Sequence, residues 1–156
     1  MAQVRASYHT IRQVFGFDEA GLAEASGFLG QPEGGLAALD EVLTLVEHTG
    51  ERYYEAEPHR QRGELSLLRA AKSHPAQDSR DQHEAEPCFQ HALDVARGQQ
   101  AKSLELRAAT SLSRLWQRQG KRAQARALLA PIFHCFTEGF DTADLQEAKA
   151  LLDALA

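Results

Sequence analysis

The stretch Gly120–Cys135, GKRAQARALLAPIFHC, decides the fold, because the chain repeats it. Gly30–Leu45, GQPEGGLAALDEVLTL, falls on the same frame, and Ala85–Ala96, AEPCFQHALDVA, fits between them. Gly35, Ala85 and Ala125 take one small-residue position; Leu39, Phe89 and Leu129 take one large-residue position. The step is 40 residues from Ala85 to Ala125 and 50 from Gly35 to Ala85. Self-similarity on this scale marks units that cannot bury an apolar face alone and must stack.

Each unit is helical by its spacing. Leu104, Ala108, Leu112, Leu115 and Trp116 form a stripe at three- and four-residue steps, as do Leu128, Leu129, Ile132, Phe133 and Phe136. Leu145, Ala148, Leu152 and Leu155 form another, and Ala85, Cys88, Phe89, Ala92, Val95 and Ala96 a fourth. Leu36, Leu39, Val42, Leu43 and Val46 follow the same rule, as do Tyr53, Ala56, Leu65 and Leu68. Weaker stripes run through Ala20, Leu22, Ala23 and Leu29 and through Val4, Tyr8, Ile11 and Phe15. Strand signals are almost absent. The fold class is therefore all-α, with seven or eight helices expected.

Punctuation agrees with this division. Pro32 suits the first position of a helix, with Glu33 beside its dipole. Gly50 and Gly120 suit helix ends that need a left-handed residue. Asp141, Thr142 and Asp144 offer a cap for the last helix. Pro131 lies inside an apolar stripe and predicts a kink. The longer middle step is assigned to Ala70–Gln82, AAKSHPAQDSRDQ, a polar stretch with Pro75 that reads as a lengthened loop.

The second halves of these pairs resemble tetratricopeptide repeats. Trp116, Gly120, Ala125, Leu129 and Ile132 stand where that family has an aromatic, a turn glycine, alanine, a large apolar and a small apolar residue. Gly63 stands at the close-packing glycine position of the middle repeat, and Ser113 at that of the next. The step exceeds the roughly 34 residues of the standard repeat, and the tryptophan that opens its first helix is missing. From Gly34 to Ala154, phrases such as EHTGERYYEAE, AKSLELRAA and TEGFDT are similar to the C-terminal helical region of large bacterial proteins. Those proteins join a nucleotide cyclase or DNA-binding regulatory domain to a signalling ATPase module. Residues 1–33 match that region poorly, and Pro58 and Pro87 depart from its smoother helices. The resemblance implies a right-handed superhelix of antiparallel pairs in a single domain over 1–156, about three pairs and a C-terminal capping helix. It implies a scaffold or regulatory segment of a signalling protein and carries no cyclase or ATPase activity.

Composition narrows the function further. The chain has 156 residues, 43% hydrophobic and 25% charged, with a net charge of −5. A chain that acidic is a poor nonspecific nucleic-acid binder. No apolar run approaches the roughly 20 residues of a membrane span. The opening MAQVRASYHT lacks a signal-peptide core, so a cytoplasmic location is expected, with Cys88 and Cys135 reduced.

No constellation points to catalysis. His83, Cys88 and His91 are close in sequence but lack a paired ligand motif, and Cys88 belongs to a core stripe. His134 and Cys135 are adjacent and diverge on a helix. Gly34-Gly35 lacks the lysine and hydroxyl of a phosphate loop. No enzyme activity, cofactor or metal is expected.

The expected function is a noncatalytic module for protein association. The alternative is a small-molecule sensor that binds an effector in the inner groove. In the superhelix the first helix of each pair lines the inner curve. Outward positions there are Glu57, Arg60 and Glu64, and then Arg107, Thr110, Arg114, Gln117 and Arg118. Arg107, Arg114 and Arg118 share a face and predict a basic strip for the carboxylates of a protein or peptide partner. The N-terminal end, with sparse stripes, is expected to pair with a second copy or a neighbouring domain.

Overall fold

Gly120 and Gly50 both adopt the left-handed conformation, with φ of 77° and 70°, and each ends a helix. The computed structural model describes residues 32–50, 52–72 and 75–156. They form six helices: α1 (Pro32–Thr49), α2 (Ala56–Lys72), α3 (Pro75–Gly98), α4 (Lys102–Arg118), α5 (Arg122–Phe133) and α6 (Ala143–Ala154). No strand occurs among the described residues. The helices expected from Val4 to Phe15 and from Ala20 to Leu29 lie outside the described residues, as does the expected pairing of the N-terminal end.

Each helix packs on the next in the chain, and short links such as Gln99–Ala101 and Gln119–Lys121 force successive helices to double back. Two rows result. In one row α2 touches α4, and α4 touches α6. In the other, α1, α3 and α5 make no such approach to one another. A stack whose rows differ in this way is closer-set along α2, α4 and α6.

One core runs through most of the stack. It takes Ala85, Phe89, Ala92 and Leu93 from α3, and Leu106, Ala108, Ala109, Leu112 and Leu115 from α4. Ala125, Leu129 and Ile132 come from α5, and Leu145, Ala148, Leu151 and Leu155 close the C-terminal end. Each large apolar side chain removed from water in this way contributes about 1.5–3 kcal/mol, most of it offset by lost chain entropy. The second and third of the aligned stretches, in chain order, meet in this core. Ala85 and Ala125 are both fully buried in this core, as are Phe89 and Leu129. Trp116 packs against its edge and donates from Nε1 to Glu86 at 2.9 Å.

Two local readings need correction. Ala70–Gln82 is not a lengthened loop: α2 runs to Lys72 and α3 starts at Pro75. The extra length of the middle pair lies in α3, which has 24 residues against 12 in α5. Pro75 opens a helix, a position where a missing amide hydrogen costs nothing. Thr142 stands at the start of α6 but does not cap it; its hydroxyl donates to the Gly139 carbonyl at 2.7 Å. Pro87 lies within α3 and Pro131 within α5, while Pro58 falls in the first turn of α2, where proline is tolerated.

Candidate functional site

The close-set row carries an ionic array. On α2, Glu57, Arg60 and Glu64 follow at three- and four-residue steps and so share a face. Arg60 donates from Nε and Nη2 to Glu57, at 3.0 and 2.5 Å. Its Nη1 reaches Glu64 at 3.4 Å and the Ser111 hydroxyl at 3.3 Å. Ser111, on α4, donates to Glu64 at 2.6 Å. Burial works against the Arg60 charge, yet the Glu57 carboxylate, helped by Glu64 and Asp144, holds its proton more firmly than usual.

The other two arginines extend the array across α4. Arg107 Nη2 lies 3.5 Å from Glu57, and its Nε lies 3.8 Å from Asp144 on α6. Arg114 Nη1 lies 3.8 Å from Glu64, and its Nη2 is in close contact with Glu147 on α6. Arg60, Glu64, Arg107, Thr110, Ser111, Arg114, Asp144 and Glu147 line one open cleft of about 270 Å³. Glu57 lies beneath them, only 3% exposed.

The structure thus brings together four of the six residues expected to bind a partner: Arg60, Glu64, Arg107 and Arg114. Gln117 and the exposed Arg118 are not among the cleft's lining residues; Arg118 sits in the last turn of α4, where a cation suits the helix dipole. The expected basic strip is not free. Three arginines face four carboxylates of the chain itself, Glu57, Glu64, Asp144 and Glu147. Glu57 and Thr110, read as outward, are buried, and Thr110 bonds back to the Leu106 carbonyl at 2.8 Å. Asp144 and Glu147 were missed because they belong to the capping helix. Their three-residue spacing at its start is the signal that places both on one face.

A second cleft, of about 420 Å³, is lined by Asp40, Leu43, Thr44, Glu47, Glu55, His59, Arg62 and His91. Arg62 donates to Asp40 at 2.6 Å. The His59 and His91 rings meet edge to face with centroids 4.2 Å apart. Burial, then the neighbouring His91 and Arg62, lowers the His59 pKa to about 4. Cys88 is half-buried, and burial pushes its thiol up. Among the described residues no three His, Cys, Asp or Glu side chains gather into a metal-holding group, so His83, Cys88 and His91 do not converge. Among them, too, no helix is long and apolar enough to cross a membrane.

The chain matches no protein-family model, no curated protein and no solved structure.

Proposed function

We propose that this chain is a noncatalytic helical-repeat module, of tetratricopeptide type, that docks a protein or peptide in the cleft along α2, α4 and α6. The observation that carries this reading is the cleft itself. All its lining side chains come from that one row, and all are charged or hydroxylated. A right-handed superhelical course would set this row on the inner curve, where repeat proteins receive their partners.

The composition of the lining weighs against the sensor alternative. Small-molecule pockets are mostly apolar with a few polar groups that fix orientation. Here arginine, glutamate, aspartate, serine and threonine alone line the cleft. Such a surface suits a polar segment of a larger partner, whose affinity is spread over many contacts.

Affinity capture from lysate, followed by mass spectrometry, tests the proposal. We expect the set of captured proteins to change, by gain or by loss, on Arg107→Glu/Arg114→Glu with the fold intact by circular dichroism. An unchanged set of captured proteins would remove the cleft from any docking role. A metabolite that raises the melting temperature in proportion to its concentration would favour the sensor instead.

A further inference from the structure

The ionic array has two tiers with different exposure. Glu57 and Glu64, at the floor, are 4% and 29% exposed in their side chains. They hold the guanidiniums of Arg60, Arg107 and Arg114. Asp144 and Glu147, at the rim, are 44% and 53% exposed. A group arriving from solvent meets the rim carboxylates before the arginines, which are only 15–32% exposed.

Hydrogen-bonding capacity points the same way. Arg60 spends Nε, Nη1 and Nη2 on Glu57, Glu64 and Ser111. Arg114 holds Nη2 in close contact with Glu147, while its Nη1 faces Glu64 at the ion-pair distance of 3.8 Å. The acceptors are not so spent. An ionised carboxylate offers about four lone-pair sites. Asp144 faces Arg107 at 3.8 Å, an ion-pair distance too long for a hydrogen bond. Four carboxylates against three guanidiniums leave one negative charge in excess, within a chain of net charge −5.

Resting on the docking reading above, we infer that the cleft takes a cationic segment, whose lysine or arginine side chains pair with Asp144 and Glu147. An entering carboxylate would have to displace one of these residues from its arginine and join an array already negative. An entering ammonium or guanidinium displaces nothing and fills acceptor positions that now face water. This inference sets a basic partner against the sequence-based expectation of an acidic one.

The test uses two flexible synthetic peptides of equal length, one carrying several lysines and its twin carrying glutamates, followed by fluorescence anisotropy at low and physiological salt. We expect the lysine peptide to bind and to weaken as salt screens the contact. Asp144→Asn/Glu147→Gln should weaken it roughly threefold or more, the scale of two partly exposed ion pairs. Glu41→Gln/Asp94→Asn removes the same charge from exposed positions outside the cleft and should leave binding within twofold of the native value, a margin of about 0.4 kcal/mol. Glu147→Gln alone, beyond the first turn of α6, repeats the measurement if the double variant loses stability.

Equal losses in the rim and control variants would reduce the effect to net charge and overturn the inference. Binding of the glutamate peptide, abolished by Arg114→Gln, would also overturn it while leaving the docking reading intact. Binding of neither peptide overturns the inference; the docking reading then stands or falls on the capture experiment alone.

Discussion

A β-carbon placed on Gly63 would fall 2.5 Å from Cε1 of Phe89. The Phe89 ring lies fully buried against the bare backbone of α2, and the two helices of the middle pair are set by that contact. The next pair uses a different combination. Ser113 stands at the corresponding small position and Leu129 at the large one, both fully buried. The Ser113 hydroxyl donates to the Ala125 carbonyl at 3.1 Å. Size is traded between the two slots across the repeats.

Gly63→Ala is therefore expected to destabilise despite alanine's better helix propensity. Overpacking costs about 1–3 kcal/mol, against a propensity gain of about 1 kcal/mol. Phe89→Leu alone leaves a void. Together the two changes approach the arrangement of the following pair, so the double variant should recover part of the loss. A double-mutant cycle by urea unfolding should give a favourable coupling of ~0.5 kcal/mol or more, in the range for contacting residues. Simple additivity would mean that the ring yields without strain.

Glu57 is expected to behave as a structural member of the array more than as a docking residue. It is 3% exposed and accepts from Arg60 and Gln61, with Arg107 at 3.5 Å. Glu57→Gln leaves Arg60 short of its main counter-charge. Breaking a buried pair costs about 3–5 kcal/mol, and the 15% exposure of the Arg60 side chain sets the lower end here. Replacing both by apolar residues, Glu57→Leu/Arg60→Met, should be far milder. Chemical denaturation compares them; a single variant as stable as the native chain would show that water already satisfies Arg60.

Much of this architecture was legible in the sequence, and the exceptions share a cause. Apolar periodicity identified many core positions of α3 to α6, such as Phe89, Leu112, Leu129 and Leu145, because period follows burial along each helix, but it left out Leu93, Leu106 and Leu151. Gly50 and Gly120 marked helix ends because only a positive φ continues the chain there. Ala70–Gln82 misled because its polarity and Pro75 looked like a loop. A helix that extends past its neighbours needs no apolar stripe, and proline at its first position is no obstacle. Arg107 and Arg114 meet in the cleft as their spacing predicts, while Arg118 does not join them. Their neutralisation was not legible, since Asp144 and Glu147 approach from another helix and periodicity within one helix carries no record of them.

Pro87 offers a stabilising substitution. It lies inside α3 and is exposed, so its ring adds little packing. It cannot supply the amide hydrogen that the His83 carbonyl would accept in a regular helix. Pro87→Ala is expected to raise stability by up to about 3 kcal/mol, less the roughly 0.4–1 kcal/mol that proline contributes by restricting the unfolded chain. Thermal unfolding measures it. A lower melting temperature would show that a bend at Pro87 is needed to seat Phe89 and Ala85.

Acid should destabilise the chain through His59. Its folded pKa is about 4, against 6.5 for the free side chain, because burial, His91 and Arg62 all oppose its charge. Between these values the unfolded chain binds the proton and the folded chain does not. Stability from this residue is therefore complete above about pH 6.5 and falls as pH drops toward 4. Glu105 falls in the same direction. Burial pushes its carboxyl up, but hydrogen bonds from Lys102 and Arg97 outweigh that and hold it below the usual range, so its contribution also disappears in acid. The Glu105 share is lost only below about pH 4.5, so the interval from pH 7 to pH 5 reports His59, and His59→Gln removes that share. Urea midpoints at pH 7 and pH 5 should differ less in this variant than in the native chain. An equal drop in both would mean that His59 takes up its proton without leaving its place beside His91.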